Sequence, residues 1–152
     1  MTPKDRILAH LRQAEALRLK PYLDCCGQPW RQCVCDRKGK LTIGYGRNLD
    51  DVGLSHAEAS YLLDRDLERA AVAVVNALSW AGQLDDVRLA VLIEMAFNLG
   101  IGGLLRFRRM LTALEARQFS DAAREMLDST WAGQVGTRAQ RLAREMESGT
   151  WG

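Results

Sequence analysis

The sequence predicts an α+β fold in which one short β-rich segment interrupts a chain that is otherwise helical. Apolar residues recur at helical spacing near the N-terminus and again over the second two thirds of the chain. Between these regions, apolar and polar residues alternate and glycines interrupt them, as in short strands. The chain of 152 residues contains no internal repeat or low-complexity linker, and its length fits one domain with a sizeable core. We therefore expect a single domain over residues 1–152, with a β-rich lobe at 15–54 and a helical lobe formed by 1–14 and 55–152.

The first helix is predicted by a capping motif followed by an amphipathic stripe. Thr2 is a typical N-cap residue, Pro3 suits the first turn, and Asp5 is placed to close a capping box. A helix over residues 3 to about 14 follows from the apolar positions Ile7, Leu8, Leu11 and Ala14. Glu15 comes at its C-terminal end, where a negative charge opposes the helix dipole. Glu15 is therefore either an ordinary surface charge or a candidate general acid.

The β-rich segment is predicted as two strands separated by an insert. The first strand ends at Asp24, and the second covers residues 41–45. Gly44 and Gly46 indicate a bulge or a close backbone approach, which we interpret as an approach to a ligand. Residues 48–53 are rich in turn-forming side chains, so we expect a loop there.

The remainder of the chain is predicted as a series of helices. A capping box from Ser55 to Glu58 opens a long helix that ends near Ser79. Further helices are predicted over 84–99, from 104 to about 115, from 120 onwards, and from 137 to a stop at Gly149. We expect residues 101–103 to form a loop and residues 137–140 to form another capping box.

All four cysteines lie in the insert between the two predicted strands, at Cys25, Cys26, Cys33 and Cys35. Four thiolates can hold a tetrahedral zinc ion, and such an ion would be structural because no ligand position stays open for a catalytic water. The spacing differs from the usual paired Cys-x2-Cys pattern, and two disulfides or four unligated thiols are the alternatives. A reducing cytosol favours metal or free thiols over disulfides.

Composition and charge exclude several classes of protein. The net charge is +2, far from the strongly basic balance of a typical nucleic-acid-binding domain, so we expect no nucleic-acid partner. No apolar run approaches the roughly 20 residues of a membrane helix, and no secretory signal follows the N-terminal residues. The chain has two histidines, which excludes a His-rich catalytic metal site. We expect a monomer without a membrane anchor.

Two motifs carry a resemblance to a known family. Glu15 and Asp24 are separated by eight residues and are followed by the run Thr42-Ile43-Gly44-Tyr45-Gly46. This combination resembles the active-site segment of the phage-type lysozymes, the family 24 glycoside hydrolases. Further matches follow in the family's order and extend over nearly the whole chain, at Phe97-Asn98-Leu99-Gly100, Phe107, Met110-Leu111, Trp131, Arg138-Ala139-Gln140-Arg141 and Gly149-Thr150-Trp151.

The resemblance implies a lysozyme-like α+β fold and an endolysin that hydrolyses the β-1,4 bond between N-acetylmuramic acid and N-acetylglucosamine in peptidoglycan. It implies that Glu15 is the general acid, Asp24 the second carboxylate and Thr42 the hydroxyl that positions the attacking water. Matches near the cleft make substrate contacts expected at Tyr45, Arg47, Phe97, Asn98 and Arg138. No cofactor is expected for catalysis. The alternative is a non-catalytic lysozyme-like module that binds peptidoglycan.

The resemblance also implies a route to the substrate. A phage or prophage muramidase without a signal or anchor would accumulate in the host bacterial cytoplasm. A holin-like pore would then release it to the periplasm and cell wall, where it causes host cell lysis.

Three departures from the family pattern are visible. Ala16 replaces the usual glycine after the catalytic glutamate, and Arg47 stands where many members have histidine. The arginine could replace an ion pair of that histidine with a permanent charge, or it could contact acidic groups of the substrate. Seventeen residues separate Asp24 from Thr42, many more than in the family, and the excess is the cysteine insert over residues 25–38. A hairpin extension would leave both strand ends in place.

Overall fold

The computed structural model describes residues 2–152, which form eight α-helices and one three-stranded antiparallel sheet. These residues divide into two compact units, of which the first ends at Ala59 and the second comprises Ser60–Gly152. The predicted α+β class is confirmed. The first helix lies in the same unit as the sheet, and the predicted division into lobes stays a prediction.

The elements of the first unit are α1 (Pro3–Ala14), β1 (Arg18–Leu23), β2 (Leu41–Gly44), β3 (Arg47–Asn48) and the start of α2 (His56–Ala77). The second unit contains the rest of α2, then α3 (Asp86–Leu99), α4 (Ile101–Leu104), α5 (Arg108–Glu115), α6 (Phe119–Leu127), α7 (Thr130–Val135) and α8 (Thr137–Ser148). Short 3-10 helices occur at Trp30–Gln32 and Ala81–Gln83. No helix within residues 2–152 combines the length and apolarity that a bilayer crossing requires.

Hydrogen bonds rather than a core define the first unit. The predicted capping box of α1 is confirmed, because the Asp5 N–H donates to the Thr2 hydroxyl at 3.2 Å and the Thr2 N–H donates to the Asp5 carboxylate at 2.8 Å. The capping box at Ser55 and Glu58 is confirmed in the same way. Leu23 and Thr42 are the buried side chains among residues 2–59, and α1 buries none of its apolar stripe.

The sheet has the order β1-β2-β3, with Tyr22 opposite Thr42 and Thr42 opposite Asn48. The third strand was not predicted, since two residues are too few to show an alternating pattern. It forms because the chain reverses at Gly44 and Gly46, whose φ angles of 68° and 80° are readily adopted only by glycine. Asn48, which we expected in a loop, therefore pairs with β2.

The second unit is organised around one apolar core. Twenty buried residues form it, and the largest fully buried side chains are Leu92, Met95, Leu104, Met110, Leu114, Met126, Leu142, Met146, Val74 and Val91. They lie on the inward faces of α2, α3, α5, α6 and α8 and on α4. Arg88 supports the C-terminal end of α8 by donating to the main-chain oxygens of Met146 and Glu147, at 2.7 and 2.6 Å.

Several predicted boundaries in this unit are wrong. Residues 101–103 belong to helix α4 instead of a loop, because Gly100, at φ 70°, ends α3 and caps the next helix directly. As a consequence α5 begins at Arg108 rather than at residue 104. The short helix α7 was not predicted at all.

The capping box predicted at residues 137–140 is also wrong. Gly136 is the N-cap of α8 and provides no side-chain hydrogen bond, and Thr137 is already helical. The helix itself is confirmed, and Gly149, with a φ angle of 71°, ends it as predicted.

Candidate active site

Glu15 lies where α1 ends, and its carboxylate faces the turn between β2 and β3. Its N–H donates to the Leu11 carbonyl at 2.8 Å, after which the backbone becomes extended and leaves the helix. A Cβ atom added to Gly46 would lie 3.4 Å from Oε2 of Glu15. The glycine therefore permits both the positive φ angle of the turn and the close approach of the carboxylate. We interpreted this backbone approach as one to a ligand, and in the structure the group next to Gly46 is Glu15.

Asp24 follows β1 directly and is held by the residue that precedes β2. Its Oδ1 accepts a hydrogen bond from the Lys40 N–H at 2.8 Å, and its own N–H donates to the Lys40 carbonyl at 3.1 Å. A Cβ atom added to Gly39 would overlap Oδ1 of Asp24 and would lie 2.6 Å from the Cys25 nitrogen. Only glycine fits at position 39 without displacing the carboxylate.

Thr42 lies on β2, two residues after the Lys40 that holds Asp24. The pairs Tyr22–Thr42 and Leu23–Leu41 continue directly into the hydrogen-bonded pair of Asp24 and Lys40. The Asp24 side chain turns towards the Lys40 N–H, and Asp24 and Thr42 thereby both contact the main chain of Lys40. The Thr42 hydroxyl donates to the Lys40 carbonyl at 3.1 Å, and its oxygen can still accept a hydrogen bond from a water. The insert thus extends the hairpin and leaves the strand ends in register.

The turn beyond β2 carries the other two predicted site residues of this unit. Tyr45 is 45% exposed at the tip of the turn. Arg47 donates to both carboxylate oxygens of Glu58, at 2.7 and 2.9 Å, and to the Gly53 carbonyl. Hydrogen bonds from Ser55, together with the Arg47 charge, lower the pKa of Glu58. This geometry supports the ion-pair interpretation of Arg47, while its contact with substrate stays a prediction.

An acidic turn after β3 clamps the base of the insert, and the sequence interpretation missed it. Lys40 forms an ion pair with Asp51 at 2.7 Å, and the hydrogen bond between them raises the pKa of Lys40 and lowers that of Asp51. The Leu41 N–H donates to Asp50 at 2.8 Å, and the Asn48 side chain donates to Asp51 at 2.8 Å. The run of two aspartates after Asn48 was the available signal, but it was interpreted only as a turn.

The remaining predicted site residues lie in the second unit. Asn98 accepts a hydrogen bond from the indole N–H of Trp131 at 2.8 Å, and Phe97 is 39% exposed. Trp131 is buried and packs edge-to-face on Phe107 with 5.9 Å between ring centroids. Arg138 donates to Glu94 at 2.8 Å.

Arg138 belongs to an ion-pair network that the sequence did not reveal. Glu94 also accepts from Arg141 at 2.6 Å, and Arg141 reaches the buried Glu145 at 2.9 Å. The hydrogen bond to Glu94, with a second to Glu145, raises the pKa of Arg141. These partners come from α3 and α8, so their proximity depends on how the helices pack and cannot be seen in local sequence.

A cavity of about 630 Å³ also lies in the second unit. Phe107, Arg109 and Trp131 are among the residues that line it, and none of the predicted site residues does so. The cavity therefore gives no support to the predicted substrate contacts.

The four cysteine sulfurs gather at one point of the insert, within 4.8 Å of one another. The Sγ atom of Cys25 lies 3.8 Å from that of Cys26 and 3.6 Å from that of Cys33. These separations far exceed the roughly 2.05 Å of a disulfide bond. Hydrogen bonds with Cys25 and Cys33 raise the pKa of Cys35 to about 12. The cluster has the composition and size to hold a metal ion.

Comparison with known proteins gives a consistent result. A family model described as Phage lysozyme matches residues 12–147. Two proteins of Dictyostelium discoideum, probable T4-type lysozymes 1 and 2, are 29% and 28% identical over 100 residues, which are 64% of this chain and 59% of each relative. The pre-baseplate central spike protein Gp5 of Enterobacteria phage T4 is 32% identical over 149 residues, 87% of this chain and 26% of that protein. The chain thus spans about three fifths of the Dictyostelium relatives and about a quarter of the spike protein.

Proposed function

Since the chain belongs to the phage lysozyme family, we propose that it is a muramidase that hydrolyses the β-1,4 bond between N-acetylmuramic acid and N-acetylglucosamine in peptidoglycan. The observation that carries the proposal is the placement of two carboxylates in the first unit. Glu15 lies against the Gly46 turn, and Asp24 is held by the N–H of Lys40, two residues before Thr42. Most glycoside hydrolases use a pair of carboxyl groups for catalysis.

The proposed reaction uses Glu15, Asp24 and Thr42. Glu15 donates its proton to the glycosidic oxygen as the bond to the anomeric carbon breaks. A water molecule, oriented by the hydroxyl of Thr42, bonds through its oxygen to the anomeric carbon and gives its proton to the carboxylate of Asp24. The Lys40 N–H fixes Oδ1 of Asp24, so the carboxylate keeps one orientation throughout. The distance between the two carboxyl groups in the substrate complex sets the stereochemistry, which anomer analysis of the products measures.

Substrate contacts are proposed at positions with exposed surface. Tyr45 is placed to stack on a sugar ring beside Glu15, since it neighbours Gly46 and is 45% exposed. Phe97 offers a second exposed ring. Asn98 and Arg138 already bind Trp131 and Glu94, so a sugar would have to share these groups.

The biological setting that we propose is lysis of the host cell wall by a monomeric phage enzyme, with a holin-like pore for access from the cytoplasm. A second setting is favoured by the match to a phage spike protein, which covers 87% of this chain. In that case the same hydrolysis would be carried out by a phage particle. Mass spectrometry of purified particles distinguishes the two, because a lysis enzyme would be absent from them.

The substitution Glu15→Gln tests the enzyme proposal. It keeps the shape of the side chain and removes the proton donor, so clearing of a peptidoglycan suspension should fall about 10²–10⁴-fold. The matched control is Glu115→Gln, at an exposed position of α5, which should clear at the wild-type rate. Circular dichroism checks that both variants are folded.

Two outcomes would contradict the proposal. Undiminished lysis by a folded Glu15→Gln variant would exclude the assigned acid. Wild-type protein that sediments with peptidoglycan but releases no reducing ends would instead be the non-catalytic binding module.

A further inference from the structure

We propose that Cys25, Cys26, Cys33 and Cys35 bind one Zn²⁺ ion as a tetrathiolate, and that this ion holds Asp24 in its working position. The zinc site stands on the geometry of the insert alone. Its effect on Asp24 rests additionally on the proposed muramidase function.

The sulfur positions fit a tetrahedral zinc ion. Zinc–thiolate bonds of about 2.3 Å place the sulfurs of a regular tetrahedron about 3.8 Å apart. The measured separations from Cys25 are 3.8 Å to Cys26 and 3.6 Å to Cys33, and the four sulfurs all lie within 4.8 Å of one another. Four soft thiolates in this arrangement select zinc over the hard cations, which prefer oxygen ligands.

Main-chain hydrogen bonds hold the first two thiols in place independently of a metal. The Gly27 N–H donates to the Leu23 carbonyl at 2.8 Å, and the Leu23 N–H donates to the Gln28 carbonyl at 2.9 Å. Arg18 donates to the Gly27 carbonyl at 2.6 Å and lies over the Tyr22 ring. The turn that carries Cys25 and Cys26 is thus fastened to β1.

The far side of the insert is held by few contacts, such as that of the Lys38 ammonium with the Trp30 ring, 5.7 Å from its centroid. None of residues 24–40 is buried, and Val34, between two of the cysteines, is 96% exposed. A metal cross-link is one way in which small protein segments with little apolar burial gain a fixed conformation. A zinc ion supplies that link by joining Cys33 and Cys35 to the turn at Cys25 and Cys26.

The cysteine insert over residues 25–38 begins next to Asp24 in sequence, and its other end leads back to Asp24 in space. Cys25 directly follows Asp24, and Gly39 packs against both Asp24 and the Cys25 nitrogen. The next residue, Lys40, donates its N–H to Asp24. Closing the loop with a metal therefore adds a restraint on the Asp24–Lys40 pair to those of the Leu23–Leu41 pairing and the Lys40–Asp51 ion pair.

Metal analysis tests the zinc site without reference to activity. Protein purified under reducing conditions should contain one zinc per chain, and Co²⁺ exchanged into it should show the visible absorption of tetrahedral cobalt thiolate. The substitution Cys33→Ser should weaken zinc binding by at least about 100-fold. Substitution of residues that merely hydrogen-bond to metal ligands already lowers metal affinity by about 10–100-fold. Val34→Ser, which alters the neighbouring exposed position and keeps all four thiols, should bind zinc as the wild type does.

Three results would overturn the zinc site. Metal-free protein whose thiols react freely with an alkylating reagent would contain four unligated thiols. Metal-free protein whose thiols resist alkylation until they are reduced would contain disulfides. Protein that retains iron, with its own visible absorption, would contain a different metal centre.

Hydrogen exchange and lysis together test the link to Asp24. Removing zinc from the wild-type protein with a chelator should accelerate exchange of the Lys40 amide, slow peptidoglycan clearing and leave exchange in α3 unchanged, and added zinc should restore both properties. The Glu15→Gln variant should bind zinc and protect the Lys40 amide normally, which separates failure of this inference from failure of the muramidase proposal. An unchanged Lys40 exchange rate and full lysis after zinc removal would overturn the positioning role.

Discussion

Two of the described side chains in the first unit are buried, Leu23 and Thr42, whereas twenty buried apolar residues pack into one core in the second. The candidate catalytic carboxylates both belong to the first unit. There each position depends on individual contacts, such as the Lys40 N–H on Asp24 and the Gly46 backbone against Glu15. We therefore expect single substitutions to affect the two units differently. In the first they should alter geometry and activity, and in the second they should alter stability.

Among the substitutions that compare the two units, the largest effect is expected for Gly39→Ala. The added Cβ would overlap Oδ1 of Asp24 and crowd the Cys25 nitrogen, so the carboxylate must move. A displacement of about 1 Å in a catalytic group can cost about 100-fold in rate, and we expect a loss of that order in peptidoglycan clearing. The free energy of unfolding of the second unit should stay unchanged.

The control for this prediction is Gly82→Ala in the second unit. No atom lies within 4 Å of a Cβ added there, and the φ angle of Gly82 is not positive. This variant should clear peptidoglycan at the wild-type rate. Equal activity of the two variants would mean that Asp24 is not held as tightly as its contacts indicate.

The opposite behaviour is expected for Leu114→Ala. Leu114 is fully buried in the core of the helical unit, and its truncation removes apolar contacts and leaves a cavity. Such substitutions cost about 2–5 kcal/mol, which urea unfolding would measure. Below the unfolding transition, clearing activity per folded molecule should match the wild type. A loss of activity without a loss of stability would mean that this core residue also determines the geometry of the catalytic site.

The capping boxes and the long helices could be predicted from the local sequence. The capping boxes at Thr2 and Ser55 join residues three apart, and the apolar periodicity of α1, α2, α3 and α8 is long enough to identify each helix. The helices α4 and α7 and the strand β3 are too short to show a period. The capping box at Thr137 failed because Gly136 forms the junction between α7 and α8, which the residue pattern alone does not show.

In the candidate site, the catalytic residues could be proposed from the sequence, whereas the contacts that support them could not. Glu15, Asp24 and Thr42 could be proposed because their spacing resembles a family pattern. The supporting contacts could not, because they depend on the three-dimensional register. Gly39 matters only once β1 and β2 are paired, and the partner of Arg47 is Glu58, at the start of the following helix.

The smallest effect is expected for the ion pair of Arg47 with Glu58. Hydrogen bonds from Ser55, and the Arg47 charge, lower the folded-state pKa of Glu58 below its ordinary value of about 4.3. A lowered folded pKa stabilises the fold above the unfolded pKa, and this contribution disappears as the pH falls through the folded value. The wild type should therefore lose this increment of stability below about pH 4.

The substitution Glu58→Gln isolates that charge, because glutamine can still accept from the Ser55 N–H in a capping box. The variant should be slightly less stable than the wild type at pH 7 and should approach it in acid, as thermal unfolding from pH 7 to pH 3 would show. The Glu115→Gln control, on the exposed surface of α5, should keep the pH dependence of the wild type. A stability difference between wild type and Glu58→Gln that persists unchanged at pH 3 would mean that packing, and not the charge of Glu58, fastens the Arg47 turn to α2.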